Sequence, residues 1–485
     1  MFRRLKLVIA AKPGFAQILE IMRPYQLSAT ALLAAYRAHE LSPLEAMKDV
    51  LARVSAFEPH IKATYLLNGE RALREARASE DRWMRDAPLG ALDGVPTTVK
   101  DNIATKGEPT PLGTAATDLT LAAQDAPPAA RLREAGAIFF AKTTMPDYGM
   151  LSSGLSSFHA LARNPWDLSR NPGGSSAGAG AAAAAGYGPL HVGTDIGGSV
   201  RLPAGWCGIF ALKPSLGRVP IDPPYVGRVA GPMTRSVEDS ALLMSVLSRP
   251  DSRDFMNLPP QQLDWKIKPA SLRGLKIGVV MEIGCGAPPA AETRAAIEKA
   301  ARDLALAGAL VEPISPFLTQ EMLNGWDRFM RMRSYLDTRD LPAGKRDKIL
   351  PFIRAWADSA ASLSGEDVFR GYGQAMAMRQ TTVAATQPYD FVITPTAPMV
   401  AYSAELPSPS KDPLDPFPHI GFTLPFSVSE QPAASINCGY DSQGLPIGLQ
   451  IVGRRFDDVG VLSVARAFEE MRSGEARAWP EPPTP

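Results

Sequence analysis

The chain has 485 residues, of which 45% are hydrophobic and 21% charged, and its 51 basic and 50 acidic side chains leave a formal net charge of +1. That composition supplies a sizeable core, and the charge balance gives no field for nucleic acid or anionic membrane, so neutral substrates fit better. Three cysteines, Cys207, Cys285 and Cys438, leave one over and show no close metal-ligand spacing, so buried thiols are expected, with neither a disulfide framework nor a metal site.

Residues 1–25 read as a poorly specified extension. Their apolar stretch, 7–11, is too short for a signal-peptide core and ends at Lys12-Pro13, and no later segment approaches the ~20 apolar residues of a membrane span, so a cytoplasmic protein is expected. From Ser28 to about Arg85 the apolar residues recur at helical spacing in two or three pieces, as in Ala46, Val50, Leu51 and Val54, which predicts an N-terminal helical layer. From Gly94 onward short strands alternate with helices. A strand ends at Lys100, followed by a helix over 131–135, a strand over 137–141, an alanine helix over 181–185 and a strand over 190–194. Later units repeat the pattern with strands over 276–281 and 391–394 and a helix over 290–307. Such alternation predicts an α/β fold, with helices on both faces of a large, twisted, mostly parallel sheet. Between 316 and 387 the pattern is helical with scattered aromatics, among them Trp326 and Trp356, and reads either as a cover over a cleft or as a plain helical layer.

Three segments carry chemistry. In Gly193-Thr194-Asp195-Ile196-Gly197-Gly198-Ser199-Val200-Arg201 an apolar run leads into a turn that Gly197 and Gly198 leave free of Cβ clashes. Successive backbone N–H groups can then face one point beside the Ser199 hydroxyl, as an oxyanion hole requires. A serine needs a base, and histidines are scarce: His39 and His60 sit on charged helical surface, His191 in an apolar run suited to a core residue, His159 and His419 in loops. The second segment, Asn171-Pro172-Gly173-Gly174-Ser175-Ser176, places serines before the alanine helix, and the third, Val99-Lys100-Asp101-Asn102, ends a strand on a lysine. Taken singly, the former reads as a helix cap and the latter as a solvated lysine.

Together and in this order the three segments resemble the amidase signature family of serine hydrolases. Supporting blocks include Arg163-Asn164-Pro165-Trp166, Leu212-Lys213-Pro214-Ser215, Gly231-Pro232-Met233-Thr234 and the run from Gln431 to Gln450, so the resemblance covers residues 26–472. It implies one large domain over that range, with a tail over 473–485. It further implies Ser199 as nucleophile, Ser175 as a bridging serine on a cis peptide bond, and Lys100 as base. Backbone N–H groups of Ile196, Gly197, Gly198 and Ser199 would form the oxyanion hole, and Asp195, Ser176 and Gly174 would support it. Asp195 reads equally as structural support and as a direct electrostatic partner; Asp101, Asn102, Arg201 and Arg235 read as loop supports. Met150, Leu151, Ser153 and Gly154 lie where relatives place a wall of the acyl pocket, although Met and Leu there also suit plain core packing. The chain departs from the family at Ala177, where relatives often have glycine, and at Asp147-Tyr148, where they often have Glu-Phe.

A free lysine, with a pKa of about 10.4, is protonated at neutral pH, so Lys100 must be desolvated to act as a base. The resemblance then implies hydrolysis of a neutral carboxylic amide, with a bulky or aryl side, through a seryl acyl-enzyme without cofactor or metal, in a monomer or homodimer. Carbamate (urethane) or ester hydrolysis by the same site is an alternative. Another is a glutamine-dependent amidotransferase subunit whose partner carries charged tRNA. A phosphate-binding module is disfavoured, because Gly-Gly-Ser-Ser lacks the Gly-Lys-[Ser/Thr] ending of a P-loop.

Overall fold

The computed structural model describes residues 22–475 and 477–482. Of the extension expected over 1–25, residues 1–21 therefore lie outside the described residues, as do 476 and 483–485 of the tail. The N-terminal helical layer consists of α1 (Ala29–Arg37), α2 (Pro43–Ile61) and α3 (Gly69–Trp83). Each starts where its sequence supplies a cap. The Ser28 and Asn68 side chains accept backbone N–H groups at the starts of α1 and α3, and Ser42 and Glu45 form a reciprocal capping box with Pro43 in the first turn of α2.

The centre of the molecule is an eleven-stranded sheet. In chain order the strands are β1 (Thr64–Tyr65), β2 (Pro96–Lys100), β3 (Ile138–Thr143), β4 (Leu190–Asp195), β5 (Phe210–Lys213), β6 (Val229–Thr234), β7 (Lys276–Val279), β8 (Leu310–Pro313), β9 (Phe391–Pro395), β10 (Ala433–Tyr440) and β11 (Pro446–Gly453). Their spatial order is β1-β3-β2-β4-β6-β5-β10-β11-β9-β7-β8. The sheet is mixed, and its parallel pairing falls in two runs, β3-β2-β4 and β9-β7-β8. Between them β4, β6, β5, β10, β11 and β9 pair antiparallel. The strand–helix alternation of the sequence covers β2, β3, β4, β7 and β9 of the parallel runs but does not mark β8. The antiparallel middle includes β5, β6, β10 and β11, which that alternation does not mark; β10 and β11 are joined by a tight turn, a connection that antiparallel neighbours permit.

Helices cover both faces. On one, α4 (Pro127–Glu134), α7 (Val237–Leu247), α8 (Ala291–Leu306) and α14 (Asp458–Met471) enclose a core that takes Val99, Leu190 and Val192 from the sheet. On the other lie α5 (Ala177–Ala185) and α6 (Arg201–Cys207). Every residue of α5 is buried, and its run of Ala and Gly lets it sit close under α2, whose Val50, Val54 and Phe57 share a core cluster with Ala181 and Ala182. The helical region expected over 316–387 is present as α9 (Gln320–Thr338), α10 (Ala343–Arg346), α11 (Pro351–Asp358) and α12 (Gly365–Thr386), and α13 (Leu424–Val428) follows later in the chain. Among the described residues no helix is long and apolar enough to cross a membrane.

Candidate active site

Strands β2 and β4 are parallel neighbours, with Val99 opposite Val192, so their carboxyl ends emerge side by side at one edge of the sheet. Open α/β sheets bind ligands outside such carboxyl ends. The last residue of β2 is Lys100, and the next-to-last of β4 is Thr194. The Ser175-Ser176 pair reaches the same point from the start of α5, after a cis Gly174–Ser175 peptide bond. Gly174 lies tight against neighbouring chain: a Cβ there would stand 2.4 Å from Ser153 N and 2.7 Å from Leu151 O.

Lys100 is fully buried, and its ammonium nitrogen donates to Ser175 Oγ at 2.7 Å and to Thr194 Oγ1 at 3.0 Å. Asn102 Nδ2 donates to the same threonine oxygen at 3.1 Å. Burial pushes the Lys100 pKa down to about 7, the Arg228 guanidinium adds to the depression, and Asp195 and Asp101 oppose it. A substantial fraction of this amine is therefore uncharged near neutrality and able to accept a proton through Ser175. Ser176 serves another purpose: its hydroxyl donates to Thr194 O at 3.2 Å, and its N–H donates to Ser199 O at 3.1 Å, which ties the two serine segments together.

The turn after β4 is held from inside by Asp195. Its carboxylate accepts from Gly198 N at 2.8 Å, Val200 N at 3.1 Å, Arg201 Nε at 3.0 Å and Arg201 Nη2 at 2.9 Å. Burial alone would raise the Asp195 carboxyl, but the Arg201 charge and hydrogen bonds prevail and hold it down at about 2. Arg201, also fully buried, places its remaining donors on Thr423 O, Gln450 Oε1 and Ser427 Oγ. This geometry corrects one expectation for the oxyanion hole. The Gly198 N–H is occupied by Asp195 and Gly198 does not line the cavity, whereas Ile196, Gly197 and Ser199 line it and their N–H groups find no acceptor among the described residues. Gly198 has φ +130°, and a Cβ on it would lie 2.5 Å from Thr423 Oγ1.

Ser175, Ser199 and Thr194 open onto a cavity of about 530 Å³. Of the four expected wall residues, Met150 and Leu151 line it; Ser153 and Gly154 do not. The Ser153 hydroxyl is turned away onto Leu406 O and Asn171 Nδ2, and Gly154 is pressed against Ala162 O. More of the wall comes from the 316–387 region, with Trp326 and Met330 from α9 and Trp356 from α11, joined by Phe417 and Ile420. That region therefore contributes part of the cavity wall. Two cations also border the cavity, Arg228 and Arg333, and neither stands in a segment whose composition points to the site.

None of the five histidines lines the cavity. His159 Nε2 lies 2.8 Å from Asp101 Oδ2, and His191 is buried in the sheet against Thr98. His419 is buried and stacked on Trp206. All three cysteines are buried and free, and among the described residues no group of three or more metal-binding side chains is assembled.

Fold and site together define a hydrolase of the α/β class. The chain belongs to the amidase signature family, whose Amidase family model matches residues 45–462. It is 34% identical over 496 aligned residues to a glutamyl-tRNA(Gln) amidotransferase subunit from Symbiobacterium thermophilum, an alignment that covers 93% of this chain and 98% of that one. Among solved structures, a bacterial aryl acylamidase of the same family superposes with a TM-score of 0.84 at 29% identity, covering 92% of this chain and 96% of the other. The 6-aminohexanoate cyclic dimer hydrolase, complexed with its substrate, gives 0.81 at 26% identity, covering 93% and 98%.

Proposed function

We propose that this protein is a stand-alone hydrolase of a neutral carboxylic amide bond, with a bulky apolar or aryl group on one side. The observation that carries the reading is the 2.7 Å contact from Lys100 Nζ to Ser175 Oγ at the edge of a cavity whose walls include Trp326, Met330, Trp356 and Phe417. Ser199 Oγ adds to the amide carbonyl while its proton passes to Ser175 and the Ser175 proton passes to Lys100. The oxyanion is met by the free N–H groups of the turn, Ile196, Gly197 and Ser199. The proton returns along the same path to the departing amine, leaving an acyl group on Ser199. Water, deprotonated by the same relay, then releases the acid and restores the serine.

Carbamates and esters fit the same chemistry. An ester's leaving alcohol needs less protonation than an amine, and a carbamate releases carbon dioxide after the acyl step. The 34% identity to an amidotransferase subunit favours a second reading, in which glutamine is the amide and a partner protein receives the ammonia. A panel of a nitroanilide, an aryl carbamate and glutamine separates these, with amine release measured for the wild type beside Ser199→Ala. Release from the anilide or carbamate by the wild type alone supports the hydrolase. Release from glutamine alone, or only after a partner is added, supports the amidotransferase reading.

A further inference from the structure

The active-site cavity is apolar along most of its wall, yet it holds two guanidinium groups that keep donors free. Arg333 projects from α9 and stacks on Tyr225, its guanidinium carbon 4.3 Å from the ring centroid. That stacking fixes the plane of the group, but Nη1 is buried and makes no hydrogen bond. Arg228 precedes β6 and uses one donor, Nη1 to Pro223 O at 3.1 Å. An arginine carries five N–H donors in a rigid fork; Arg333 leaves one of them buried without a partner, and the Arg228 side chain makes a single hydrogen bond among the described residues, so both keep donors free to meet a ligand. The hydroxyl of Thr110, on the same cavity, is likewise buried without a partner.

Two carboxylates border the same cavity, Asp337 within ion-pair distance of Arg333 and Asp222 close enough for its charge to act on Arg228, but neither takes up the open donors by hydrogen bonding. Asp337 approaches Arg333 Nε at 3.7 Å and is 51% exposed, while Asp222 is exposed at the cavity border. Neither accepts a hydrogen bond from either guanidinium among the described residues. Burial lowers the Arg228 pKa to about 10, the charge of Arg333 pushes in the same direction, and Asp222 opposes both. Two cations with open donors, in a cavity walled by tryptophans, match a guest that is apolar along its length and anionic at one end.

We propose that Arg228 and Arg333 form a carboxylate-binding subsite within the active-site cavity, so that the preferred amide carries a carboxylate on its acyl or amine arm. The proposal rests on the amide-hydrolase reading and specifies its substrate class. The bond cleaved is neutral, while the molecule carrying it is anionic. A bidentate carboxylate on this pair would hold the scissile carbonyl in one register relative to Ser199, a role that the apolar walls alone leave undefined.

The test uses two matched ligand pairs: a half-anilide of a dicarboxylic acid beside its methyl ester, and an anilide of aminobenzoate beside its methyl ester. Binding is measured by calorimetry to the Ser199→Ala protein, alone and with Arg333→Met, Arg228→Met or Arg333→Lys added, each first checked for an unchanged melting curve. At least tenfold tighter binding of one free acid over its ester is expected, abolished by either methionine variant and partly kept by Arg333→Lys. Equal binding of acid and ester in both pairs, or a preference that survives both methionine variants, overturns the subsite. Wild-type turnover of the methyl esters is scored separately: cleavage of the esters without any acid preference removes this inference and leaves the hydrolase intact, whereas no cleavage of any amide removes the hydrolase reading itself.

Discussion

Lys100 Nζ and Ser175 Oγ lie 2.7 Å apart at full burial of the lysine, and burial sets that lysine's pKa at about 7. The amine must be neutral to accept a proton, so kcat/KM should rise about tenfold per pH unit below pH 7 and level off above it. Lys100→Met should remove this acid limb and lower kcat by about 10²–10⁴-fold, the usual contribution of a positioned base. A wild-type profile flat down to pH 5 would show that another group takes the proton.

The Arg201–Asp195 pair is wholly buried, and each partner satisfies the other's charge. Arg201→Met would leave the Asp195 carboxylate without its cation, a loss that costs about 3–5 kcal/mol in buried pairs. Urea unfolding should show a drop of that size, and adding Asp195→Asn should recover part of it. A stability unchanged in the single variant would mean that the turn is held by its backbone alone.

Much of this site was legible in the sequence because its parts are local. Ser199, Ser175 and Lys100 each sit in a short segment whose composition dictates a turn, a helix start or a strand end, and the order of the three carries the family resemblance. Thr194 was hidden because a threonine in a strand reads as a strand former; only the parallel register of β2 and β4 brings it to Lys100. Arg228 and Arg333 are far apart in the chain and meet one cavity through tertiary packing, which leaves no trace in local spacing. Ser153 and Gly154 follow Leu151 closely in sequence, yet the chain turns them into the protein, so adjacency to a wall residue did not make them wall residues.

Gly198 tests the turn itself. Gly198→Ala puts a methyl group 2.5 Å from Thr423 Oγ1 at φ +130°, so the backbone must move, and with it the free N–H groups on either side. The expected result is a fall in kcat of about 10²–10³-fold, the scale of a lost oxyanion donor, with KM little changed. Combining it with Thr423→Ala should not restore the rate, because the φ strain remains. Full recovery in the double variant would assign the defect to the side-chain clash alone.

Trp326 is buried at the cavity wall, on α9 of the 316–387 region. Trp326→Ala should reduce kcat/KM for a bulky aryl amide by about tenfold or more, consistent with the ~1.5–3 kcal/mol of burying a large apolar group, and should leave a small aliphatic amide nearly unaffected. Equal losses on both substrates would indicate a general structural defect, which a melting curve would reveal.

The most direct measurement is the mass of the acyl-enzyme. Wild-type protein is mixed with an activated aryl ester or nitroanilide, quenched in acid within the turnover time, and digested for mass spectrometry. The account predicts one acyl group on the peptide bearing Ser199, absent in Ser199→Ala and accumulating in Lys100→Met only at a much reduced rate. Turnover that proceeds with no adduct, or an adduct carried by Ser175 instead, would contradict it.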